Sequence, residues 1–142
     1  MRKLLIVLLP LFAYAFSWDY SHDFVVKKDE VAVVSVIKRE DRSKRLLTLR
    51  WTLFQNERLV LLVKYDGFPT QYILQKKYKR NSIKIGLRDD YHDGFKRAIM
   101  IVTFKDFNSD KKMAVLQASI YDPQKRFEFE FTDPKRKKKD KG

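Results

Sequence analysis

Two histidines, each set among carboxylates, are the residues of this chain whose types could do chemistry. Asp19, His22 and Asp23 form one group, and Asp89, Asp90, His92 and Asp93 form another. Imidazole nitrogen suits zinc and carboxylate oxygen suits hard cations. The spacing matches no calcium-binding loop of the EF-hand type, however, and no second histidine lies a helical turn away. Polar loop residues are the expectation, and a shared site would need the two groups to meet at one end of the fold. Ser21 adjoins His22, yet neighbours on an extended chain point to opposite faces, which leaves the pair poorly disposed for proton transfer. The chain has no cysteine, so no thiol nucleophile, and its serines lack the G-x-S-x-G turn of a hydrolase. Four glycines are too few for a glycine-rich phosphate loop. Glu128 and Glu130 share one face of a strand about 7 Å apart, where basic neighbours would make them surface ion pairs. The expectation is a non-enzymatic chain with no catalytic residue, no cofactor and no metal.

What the sequence offers instead is charge and aromatic surface. Lysine and arginine number 31 against 18 carboxylates, a net charge of +13. The cations recur in clusters: Lys76 and Lys77 with Lys79 and Arg80, and the run Lys135, Arg136, Lys137, Lys138 and Lys139. Both clusters are candidate contacts for an anionic partner. Tyr65, Phe68, Tyr72 and Tyr78 surround one predicted hairpin among lysines, where rings supply contact area and cations supply attraction. They form a candidate binding surface. Phe127, Phe129, Phe131 and Trp51 read instead as core.

The elements that must position these residues are strands. Leu47, Leu49, Trp51 and Leu53 alternate with Thr48, Arg50 and Thr52, which places the apolar set on one inward face. Leu59, Leu61 and Val63 resume that alternation, while Val60 and Leu62 make the same strand apolar on both faces, as in a central or doubly covered strand. Asp66-Gly67 signals a hairpin, and Thr70 to Tyr78 supplies the next strand. Ile83, Ile85 and Leu87 form a short strand, and Arg88 to Gly94 a loop. A long pair follows over Phe95 to Phe107 and Lys111 to Tyr121, with Ala114, Leu116, Ala118 and Ile120 inward. Asp122-Pro123-Gln124 is a turn signal, and Phe127 to Phe131 is the last strand. No segment carries a sustained helical repeat. About eight or nine short strands argue for an all-β fold. The reading is a single antiparallel β-sandwich, immunoglobulin-like in general architecture, over residues 16–132. A small β-barrel is the second choice, disfavoured by the scarcity of glycine to turn its corners.

The two ends of the chain read differently. Arg2 and Lys3 precede the apolar run Leu4 to Phe12, and Ala13-Tyr14-Ala15 follows, the order of a secretory signal peptide with cleavage after Ala15. As a membrane anchor the run is short: Leu4 to Trp18 reaches about 22 Å, against ~30 Å of hydrocarbon, and it contains Pro10. Residues 133–142, rich in lysine, read as a disordered basic tail. The leader implies a periplasmic or secreted protein of a bacterial envelope. It also changes the meaning of the charge, since exported polyanions are lipopolysaccharide and phospholipid phosphates, peptidoglycan carboxylates and acidic proteins rather than nucleic acid. The sequence therefore predicts an accessory module for protein–protein interaction or for contact with an anionic envelope surface. The alternative is a carrier of a lipid-like ligand, with an apolar cavity between or within the sheets.

Overall fold

The computed structural model describes residues 19–87 and 98–135. The signal-like segment, the Arg88–Gly94 loop with His92, and Arg136 to Lys139 lie outside the described residues. Nine strands run β1 (Tyr20–Lys27), β2 (Ala32–Lys38), β3 (Lys44–Gln55), β4 (Arg58–Tyr65), β5 (Phe68–Gln75), β6 (Ser82–Gly86), β7 (Ile99–Asn108), β8 (Met113–Tyr121) and β9 (Phe127–Thr132). They form two antiparallel sheets, one of four strands in the order β1-β8-β7-β6 and one of five in the order β5-β4-β3-β2-β9. The sheets keep separate edges, so the fold is a sandwich and not a closed barrel. Its connectivity is two meanders, β2 to β5 and β6 to β8. β1 and β9 are exchanged so that each terminal strand closes an edge of the sheet its neighbour in sequence does not join.

Period-two alternation builds the core. Leu47, Leu49 and Trp51 of β3, Leu59, Leu61 and Val63 of β4, and Ala114, Leu116, Ala118 and Ile120 of β8 are all buried in one cluster. The turns follow backbone chemistry. Asp66 and Gly67 both take positive φ, 52° and 86°, the two-residue hairpin geometry that matches strand twist, and Asn56 and Glu57 do the same between β3 and β4. Asp122 is 2% exposed and organises the β8–β9 turn. Its carboxylate accepts the backbone N–H groups of Arg126 at 3.2 Å and Phe127 at 3.0 Å.

Three expectations need correction. Leu53 does not continue the inward row. The pairing of β3 with β4 slips at Thr52, where Trp51 faces Leu61 and Leu53 faces Val60. A bulge of one residue reverses every later side chain, so Phe54 turns inward and Leu53 is 47% exposed. The strand expected over Thr70 to Tyr78 instead spans Phe68–Gln75. It begins earlier because β5 is an edge strand, where Pro69 gives up no ladder bond, and it gives way to a 3-10 turn at Lys77–Lys79. β4 is a central strand, as the two-sided apolar pattern of Val60 and Leu62 predicts: it lies between β5 and β3, and those two side chains are half-buried on its outer face with, among the described residues, no further layer over them. Phe129 and Phe131 are partly buried rather than core, because β9 is an edge strand, covered there by Tyr20 and His22 of β1.

Candidate functional site: a basic end with an aromatic cleft

The topology sends the β1–β2, β3–β4, β5–β6 and β7–β8 connections to one end of the sandwich and the β2–β3, β4–β5 and β8–β9 connections to the other. The first end holds the Lys76–Arg80 cluster. Lys76, Lys77, Lys79 and Arg80 are all exposed, presented by a link that is fastened at both sides. At its start Lys76 Nζ donates to Asp106 Oδ1 at 3.3 Å. At its end the Asn81 carbonyl accepts the Phe104 N–H at 2.7 Å, and the Asn81 amide donates to the Phe104 carbonyl at 3.3 Å. The Asp106 carboxyl is held below the ordinary aspartate range, first by the Phe107 N–H and then by Lys76.

That fastening falls on a second bulge, where the pairing of β7 with β8 slips between Phe104 and Asp106. Each sheet thus carries a one-residue slip near the same end. The slips bring Phe54 and Phe107 face to face, ring centres 3.9 Å apart and planes 14° from parallel. Trp51 meets Phe107 edge-on at 5.5 Å, and its indole N–H is satisfied by the Val26 carbonyl at 2.8 Å. Against these rings lies a cleft of about 320 Å³ lined by Trp51, Leu53, Phe54, Phe107, Ser109, Lys28 and Lys112. The volume is at the lower end of small-molecule sites, roughly 300–1,000 Å³. The walls are apolar, and the charged groups on the lining are lysines.

The hairpin residues behave differently. Tyr65 and Phe68 are cross-strand partners at the far end of β4 and β5, and Phe68 is 75% exposed. Tyr65 and Tyr72 are partly buried against the core. Tyr78 falls in the 3-10 turn, its side chain outside the described set. The length of β5 separates Tyr65 and Phe68 from the Lys76–Arg80 cluster, so those rings and these cations do not share a surface. Lys135 is exposed beyond β9.

His22 and Glu128 each meet partners within the fold. His22 stacks on Phe131 with ring centres 4.9 Å apart, and its Nε2 meets Asp133 at 3.0 Å. Glu128 is claimed by Arg39 at 3.2 Å and Arg42 at 3.1 Å, from the β2–β3 turn. Among the described residues no group of three or more His, Asp or Glu side chains is placed to hold a metal ion, and no helix is long and apolar enough to cross a membrane.

The cleft was not visible in the sequence. The alternation marks Trp51 only as core, and Phe54 and Phe107 become neighbours only through the two bulges. Fold and site together define a two-sheet antiparallel sandwich with a cationic, aromatic-lined end. Searches against protein-family models, curated proteins and solved structures find no match to this chain.

Proposed function

We propose that this protein is an exported, non-enzymatic interaction module whose basic end meets an anionic component of the bacterial envelope. The observation that carries the reading is the state of its cations. Among the described residues Lys77, Lys79 and Arg80 have no carboxylate partner, yet their link is pinned by Asn81 and by the Lys76–Asp106 pair. A fixed turn with unneutralised cations gives attraction without first breaking internal pairs, and exposed lysines and arginines contribute about 1 kcal/mol each at an anionic surface. Export rests on the basic, apolar and small-residue order of Arg2 to Ala15. The run Lys135 to Lys139 adds charge by the same mechanism.

The test is co-sedimentation with phosphatidylglycerol vesicles at low and high salt. Binding should be strong at low salt and weaken as salt rises, and Lys77→Gln/Lys79→Gln/Arg80→Gln should reduce it by about tenfold or more, three contacts at ~1 kcal/mol each being ample for one decade. Removing residues 136–142 should reduce it further. Salt-independent binding, or none to any anionic vesicle, would overturn the reading.

A further inference from the structure

We infer that the cleft at the basic end is a binding site for a free single-chain anionic amphiphile, an acyl carboxylate of medium length. This deepens the reading above, because it names a small ligand for the same cationic end. The apolar chain lies against Trp51, Phe54 and Phe107, and the carboxylate meets Lys28 and Lys112 with the Ser109 hydroxyl as a further donor.

Three features select this ligand. The first is size: about 320 Å³, at the ~30 Å³ that one water-sized group occupies, holds roughly ten non-hydrogen atoms, the count of an eight-carbon acid. The cleft is open at its mouth, so the last carbons of a ten-carbon chain can extend beyond it. A two-chain lipid would leave most of its hydrocarbon outside a space of this size. The second is charge. Rings of Trp and Phe could also accept a quaternary ammonium, but among the described residues no carboxylate lines the cleft and two lysines do, so a cation is repelled where an anion is attracted. Asp29 and Asp110 sit in the same turns as Lys28 and Lys112 without lining the cleft, and Asp106 is occupied by Lys76 and the Phe107 N–H. Among the described residues neither Lys28 nor Lys112 has an ion-pair partner. The third is construction. The lining comes from β3, from β7 and from the β1–β2 and β7–β8 turns, and the β1–β2 turn is tied to the β3 bulge by the Asp29 N–H to the Trp51 carbonyl at 2.9 Å. The walls therefore stand in place before a ligand arrives, which limits the ordering cost of binding.

The tryptophans number two, Trp18 and Trp51, so Trp18→Phe leaves Trp51 as an internal reporter in the cleft wall. Titration of that protein with decanoate, decanol and decyltrimethylammonium should shift Trp51 emission at the lowest concentration for decanoate and the highest for the ammonium. Lys28→Glu/Lys112→Glu, both at exposed positions, should weaken decanoate by about tenfold or more, two exposed charge contacts being reversed rather than deleted, and should make the ammonium the better ligand. Decanoate binding no tighter than decanol, or an order of preference unchanged by the charge reversal, would overturn the proposal. The Lys77→Gln/Lys79→Gln/Arg80→Gln protein should keep its decanoate affinity while losing vesicle binding. Loss of vesicle binding alone therefore concerns the surface, and loss of the decanoate preference alone concerns the cleft.

Discussion

The turns at the two ends of the sandwich hold their cations in different states. At the end bearing the Asp66–Gly67 hairpin, Arg39 and Arg42 converge on Glu128, Arg45 reaches Asp66 at 3.8 Å and Lys125 reaches Asp19 at 3.7 Å. At the other end Lys76 alone of the β5–β6 link meets a carboxylate, Asp106, among the described residues. On the proposed reading, pairing rather than net charge locates the binding surface: a cation paired within the fold holds turns together, and one left open on an anchored turn is available to a partner.

The sharpest way to break this contrast is at the paired end. Asp122 is buried and holds two backbone N–H groups, so Asp122→Ala should destabilise the protein by about 3 kcal/mol, the range for buried charge-assisted hydrogen bonds. Urea unfolding midpoints would measure it, and a change within experimental scatter would show that the turn does not need its carboxylate. Next in size, Glu128→Gln should remove about 1 kcal/mol or less by loosening Arg39 and Arg42. The same measurement at high salt should shrink that difference.

Each end also has one aspartate held below its ordinary range, which allows the comparison to be made by pH. Asp41 is lowered first by the Ser43 hydroxyl and then by the Ser43 N–H, and Asp106 first by the Phe107 N–H and then by Lys76. A carboxyl with a depressed folded pKa adds stability above its unfolded value, about 4, and loses it as pH falls through the folded value. Wild type should thus melt slightly above Asp106→Asn at neutral pH, and the gap should close as pH drops below about 4. A gap that stays constant with pH would indicate that the carboxylate charge is not what fastens the link. Both groups are fully exposed, so these are the smallest effects.

Much of the architecture was legible because it is written in local patterns. Period-two alternation over Leu47 to Trp51 and over Ala114 to Ile120 specifies which face turns inward, and Asp66-Gly67 specifies a turn by its tolerance of positive φ. The bulges at Thr52 and Lys105 were not legible, since one inserted residue leaves composition unchanged while reversing every side chain after it. That is why the alternation points Leu53 inward and gives no sign of Phe54. The cleft joins Lys28, Trp51, Phe107 and Lys112, residues far apart in sequence that share no spacing rule. The cation clusters were visible as clusters, but whether each is paired depends on carboxylates that only the sheet order brings near. Glu128 beside Arg39 and Arg42 is the clearest example.

The most direct test of the central claim removes equal charge from each end. Lys77→Gln/Lys79→Gln/Arg80→Gln and Arg39→Gln/Arg42→Gln/Arg45→Gln each delete three positive charges, and each protein would be titrated with phosphatidylglycerol vesicles at low salt. A loss of about tenfold or more is expected for the first and near-native binding for the second, together with lower thermal stability in the second alone. Equal losses from both would mean that the protein binds through net charge, contradicting a site at the basic end.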